Sequence, residues 1–268
     1  MKSASEGSFY LPTDAPDEVL ATPATAGPWS ATAQHGGPPS GLLTRALEAL
    51  LEPGQTLSRI SVDLLGPVPV GRLRVATSVE RPGRTVALLS ASLHDVAAGR
   101  PCAVARAWVV PAADDGPGKD VPLPHGPADG APGDLPASWV RGYVDHVTWS
   151  WVSGAVLSPG AATVWMRPAV PLLPGEPLTG LPMLMTCVDS ASGVSAALDP
   201  AEWSFMNTEI TVHLLREPFG DWVCVDATST LGPAATGIAT ATVHDEAGLV
   251  ARTTQSLLVT RRRDRRPD

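Results

Sequence analysis

Long apolar runs are missing from this chain. None approaches the roughly 18 residues that a membrane-crossing helix needs, and Met1 to Gly7 lack the apolar stretch of a secretory leader. Cysteine is scarce and odd in number: Cys102, Cys187 and Cys224 form no C-x-x-C pair. That excludes a disulfide framework and a zinc knuckle, and it reads as buried free thiols in a reducing, cytoplasmic setting. Basic charge is short too. The net charge is −8, and the five Arg and two Asp of Arg261 to Asp268 leave −11 on the rest. Such a body is a poor partner for nucleic acid, whose phosphates need a basic face. No G-x-S-x-G elbow, P-loop or G-x-G-x-x-G before a helix is present, nor any His/Cys/carboxylate set with metal spacing. These absences exclude the common serine-hydrolase and nucleotide-binding designs, and no cofactor or metal is expected.

What the chain has in abundance is punctuation, with 28 Pro and 25 Gly in 268 residues. It also repeats itself. Ile60-Ser-Val-Asp-Leu-Leu65 lines up with Ile210-Thr-Val-His-Leu-Leu215, Pro69-Val-Gly71 with Pro218-Phe-Gly220, and His94-Asp95 with His244-Asp245. After small gaps Val104-Ala-Arg106 answers Val250-Ala-Arg252. Four matches in register indicate a duplication offset by about 150 residues.

Upstream of each copy the pattern changes from period 2 to helical. Leu42, Leu43, Ala46, Leu47, Leu50 and Leu51 form one apolar face after Gly36-Gly37-Pro38-Pro39, and Pro53-Gly54 stops the helix. The segment from Met183 to Leu198 is apolar nearly all round, so it should be buried on more than one side. Each half thus reads as a helix followed by an antiparallel meander. The expected class is α+β: a tandem (double) hotdog, two antiparallel sheets each wrapped around a long central helix. The expected boundaries are an N-terminal hotdog over 1–111, a Pro/Gly-rich linker over 112–138, a C-terminal hotdog over 139–260 and a basic tail over 261–268.

Three polar residues stand out against this background. Asp189 is the lone charge between Glu176 and Asp199, and a carboxylate inside an apolar helix is costly without partners or a task. Gln255 shares a strand face with Leu257 and Val259, so its amide must be satisfied on burial. Counting by twos puts Thr208 on the face of Ile210, Val212 and Leu214, where a hydroxyl also needs a partner. Each also has an ordinary reading, as a solvent-facing helix position or a strand-end hydrogen bond. His213 and Asp63 fall on the opposite strand face and read as exposed or inter-domain polar residues. His94 and His244 sit before Asp at turns, where a structural role is expected.

The motifs CVDSASG (Cys187 to Gly193), NTEITVHLLREPFGDW (Asn207 to Trp222), GLVARTTQSLLV (Gly248 to Val259) and QHGGPPSGLL (Gln34 to Leu43) together resemble the thioesterase II family of acyl-CoA thioesterases. The resemblance implies hydrolysis of an acyl-CoA or acyl-carrier thioester, with Asp189, Thr208 and Gln255 holding the attacking water. Gly36 and Gly37 at a helix start offer backbone N–H groups and the positive end of the helix dipole to the thioester oxygen, with His35 as a further donor, while Gly-Gly-Pro-Pro also fits an ordinary tight loop before a helix. No nucleic-acid or membrane partner is expected, and association into a homodimer or homotetramer stays open. So do two other readings: a hotdog enoyl-thioester hydratase or dehydratase, and a hotdog that binds an acyl thioester without turning it over.

Overall fold

The computed structural model describes residues 7–113, 116–119, 121–156, 158–199 and 202–262. Most of the basic tail, Arg263 to Asp268, lies outside them. The first half opens with β1 (Tyr10–Pro12), β2 (Glu18–Ala21) and a hairpin of β3 (Ala26–Gly27) and β4 (Ser30–Gln34). There follow α1 (Gly37–Glu48), β5 (Gln55–Leu64), β6 (Arg72–Arg81), β7 (Ala87–Asp95) and β8 (Arg100–Pro111). The second half runs β9 (Val147–Ser153), β10 (Ala162–Pro168), α2 (Gly180–Val188), α3 (Ala191–Val194), β11 (Trp203–Asn207), β12 (Glu209–Leu214), β13 (Val223–Leu231), β14 (Thr236–Asp245) and β15 (Gly248–Arg261).

The two sheets do not stay separate. They join edge to edge into one 13-stranded antiparallel sheet, ordered β1-β2-β6-β7-β8-β5-β12-β15-β14-β13-β10-β9 with β11 also paired to β15. The seam is β5 against β12, with Val62 opposite Ile210 and Ile60 opposite Val212. These are the repeated segments themselves, and the equivalent residues Ser61 and Thr211 face each other across it. All four apolar side chains at the seam are fully buried. The pairing removes two sheet edges that would otherwise invite aggregation.

The helices are shorter than a long central helix: 12 residues in α1 and 9 in α2. The apolar segment from Met183 breaks at Asp189–Ser190 before a single turn, α3. Gln255 enters at this break. Its Nε2 donates to the carbonyls of Val188 (3.2 Å) and Asp189 (3.0 Å), and its Oε1 accepts the Ser192 N–H (3.1 Å). A side chain thus takes over backbone groups that a continuous helix would pair internally, a recognised cause of a helix break.

α1 and α2 pack directly on each other on the inner face of the sheet, α1 against β5 to β8 and α2 against β10 and β13. Glycine permits the closeness. A Cβ on Gly37 would lie 2.2 Å from the Thr186 carbonyl oxygen, and one on Gly41 would lie 2.2 Å from Thr186 Oγ1. Two described residues of the segment between the halves are tied to the second half. Ala131 bridges Trp151 with two backbone hydrogen bonds, and Val121 accepts the Leu249 N–H.

Candidate active site

The second helix carries Asp189 to the point where the two halves meet. Its side chain is nearly fully buried. Oδ2 lies 2.8 Å from His35 Nδ1, and Oδ1 accepts from Asn207 Nδ2 at 2.8 Å. Three segments far apart in the chain therefore converge: His35 just ahead of α1, the end of α2 and the end of β11.

Each is held by its local structure. β4 delivers His35, whose N–H bonds the Thr25 carbonyl (2.9 Å). The neighbouring Gln34 is tied through its side chain to Tyr10 and Pro69. The ring of His35 lies flat on Tyr143, centroids 3.9 Å apart and planes within 12°. Gly36 has no room for a Cβ, which would sit 2.6 Å from Asp189 Oδ1. The start of α1 thus comes against the carboxylate only because that residue is glycine.

Burial alone would push the Asp189 carboxyl up. The electrostatic pull and hydrogen bond of His35, with the hydrogen bonds of Asn207 and the Gly37 N–H, outweigh it, and the group is held below the usual range for Asp. An ionised carboxylate needs a donor, so Nδ1 of His35 carries the proton that faces it. In neutral imidazole Nε2 is then the acceptor. The Gly37 amide lies 3.1 Å from the same Nδ1. A protonated nitrogen has no lone pair to offer, which leaves that N–H to the carboxylate.

The structure brings together only part of the expected set. His35, Gly36 and Gly37 do reach the Asp189 of the other half. Gln255 is fully buried and beside Asp189, but its amide is spent on backbone groups of the helix break. Thr208 is not brought there. It is exposed, its hydroxyl donates to the Ser256 carbonyl (3.4 Å), and it lines an outer depression with Asp63, Glu80 and Arg106. The cause is a bulge. Asn207 pairs with Leu257 and Thr211 with Thr254, so one strand spends four residues where β15 spends three. Alternation reverses across a bulge. Asn207 faces inward in place of Thr208, and it is the site residue that counting by twos misses. The only sequence signal for it was a polar residue ending the phase of Trp203 and Phe205.

Cys187 adjoins the site without joining it, since burial pushes its thiol far up and removes it as a nucleophile. His213 and Asp63 are exposed on the outer face near the seam, as expected. His94 and His244 lie in strands, and the Asp after each closes the following turn: Asp95 accepts from Ala97 and Ala98, Asp245 from Ala247.

A sheet folded over paired helices has structural counterparts among solved proteins. A protein of Alicyclobacillus acidocaldarius described as having a hot dog fold superposes with a TM-score of 0.73 at 16% identity, covering 97% of this chain and 99% of that one. An acyl-CoA thioesterase II of Mycobacterium marinum gives 0.68 at 15%, covering 94% and 96%. The dehydratase domain of the CurJ module of curacin polyketide synthase gives 0.55 at 12%, covering 95% and 97%. The architecture is the hotdog fold. Comparison with curated proteins gives no match. The family models are specific: the acyl-CoA thioesterase N-terminal domain matches residues 25–110 and the C-terminal domain residues 119–259, so the chain belongs to the acyl-CoA thioesterase family.

Proposed function

We propose that the chain hydrolyses acyl-CoA-type thioesters to free acid and thiol, with His35 as general base. The observation that carries this is the 2.8 Å contact between Asp189 and His35 Nδ1 in a chain of this family. Water gives a proton to Nε2 as its oxygen attacks the thioester carbonyl. Asp189 fixes the imidazole and stabilises the imidazolium that forms. The tetrahedral intermediate collapses with loss of the thiolate, which takes the proton from His35. Gly36, the N-cap of α1 beside the pair, is the donor assigned to the oxyanion. Asn207 holds the carboxylate, and Gln255 holds the segment that carries it. Thr208 has no part in the reaction.

A thiol-release screen over acyl-CoA chain lengths tests this, with Asp189→Asn, His35→Ala and Thr208→Val beside the parent. Losses of about 10²–10⁴-fold are expected for the first two, and parental rates for the third. Release by none of the substrates would end the hydrolytic reading. Full activity in His35→Ala would return the role of base to Asp189.

The same pair also favours a second reading. An imidazole backed by a carboxylate can move the proton of an enoyl-thioester hydration or dehydration. Loss of the enoyl absorbance without thiol release would select that chemistry.

A further inference from the structure

We propose that Tyr143 is a positioning residue for the His35–Asp189 pair, fixing the imidazole plane so that one nitrogen meets the carboxylate and the other faces the substrate. The proposal rests on the acid–base reading of His35 given above.

Tyr143 touches both members of the pair's support. Its ring covers the face of His35 at 3.9 Å. Its hydroxyl donates to the Thr186 carbonyl (2.9 Å) and lies 3.2 Å from Ser190 Oγ, on either side of Asp189 in the chain. One side chain therefore sets the base against the segment that presents the acid. The stack matters because the terminal torsion of histidine is soft, with a broad, shallow energy profile. A parallel ring at van der Waals distance removes that freedom, since turning the imidazole upright would drive its edge into the phenol.

Tyr143 is itself packed on several sides. It is fully buried in a one-turn 3-10 helix, Tyr143–Asp145. That turn is pressed onto the first half at Gly142, where a Cβ would lie 2.4 Å from the Ala26 carbonyl oxygen. Trp149 Nε1 donates to the Val144 carbonyl (2.9 Å), and Phe9 and Trp149 pack on the phenol at centroid distances of 6.2 and 6.4 Å. Burial keeps the hydroxyl protonated, so it remains a donor. A residue placed only to fill the core would need neither the parallel stack nor hydrogen bonds to the flanks of Asp189.

The experiment compares Tyr143→Phe, which keeps the ring, with Tyr143→Met, which keeps only apolar bulk. Turnover is read alongside nitrogen-15 spectra of histidine-labelled full-length protein. The parent and Tyr143→Phe should hold His35 in one tautomer with the proton on Nδ1. Tyr143→Met should show averaged tautomers and a kcat about 10²-fold lower, the scale of a misplaced catalytic group, with KM little changed. Parental kcat and a single tautomer in folded Tyr143→Met would overturn the proposal. Averaged tautomers in the parent would overturn it too, and that measurement needs no variant to fold. Should the parent turn over no thioester, the spectra still decide on Tyr143 while the hydrolytic reading falls separately.

Discussion

Asp189 keeps an anionic charge in the core because three donors converge on it, His35 and the Gly37 N–H from the entry to α1 and Asn207 from the end of β11. Gln255 makes that convergence durable without touching the carboxylate. Its amide satisfies two carbonyls and one N–H at the break between α2 and α3, where no intrahelical partner is available. Gln255→Leu would keep the volume and orphan all three groups, a cost of ~1–3 kcal/mol for each that stays buried and unpaired. Denaturant melts should register that loss, and thiol release should fall as Asp189 drifts. Unchanged stability would mean that the break holds without the amide. Burial of Gln255 and Asp189 was legible in the sequence, because polar residues on otherwise apolar faces announce themselves. Their partners were not, because hydrogen bonds between distant segments leave no periodic trace.

At the level of elements, a bulge and a helix end carry the consequences. Thr208 was expected inward on simple alternation, and the extra residue between Asn207 and Thr211 turned it outward. Alternation is a local rule and holds only while pairing stays in step. At the other end of α1, Glu48 is half-buried. Its carboxyl is pushed up to about 7, by burial first and then by the charge of Glu217 in the turn after β12. A carboxylate whose folded pKa exceeds its unfolded value of about 4.3 favours folding fully below that value. The benefit is lost as pH rises through about 7. Glu48→Gln should therefore melt higher than the parent at alkaline pH, and the two should converge in acid. A gap that stayed constant from acid to alkaline pH would show that Glu48 titrates normally.

For the whole molecule, duplication has left one constellation, not two. α1 begins at Gly37 and α2 at Gly180. Counted from those starts, Leu178 stands where His35 does and Ala46 where Asp189 does. That end of the helix pair instead carries an ion pair, Arg45 Nε to Glu176 Oε2 at 2.6 Å. A non-hydrolysable acyl-thioester analogue should saturate at one molecule per chain in titration calorimetry. Two per chain would show that the second position still binds.

Local pattern determined the duplicated meander, the two helical stretches, the buried free thiols and the polar residues set into apolar faces. Each follows from side-chain periodicity or from the cost of burying charge, and both act over a few residues. Tertiary structure alone decided that the sheets fuse along β5 and β12, that α2 breaks at Asp189, and that Asn207 displaces Thr208. It also decided that His35 of one half meets Asp189 of the other. These depend on register and on the close approach of distant backbone at Gly36 and Gly37, which only the packed chain specifies.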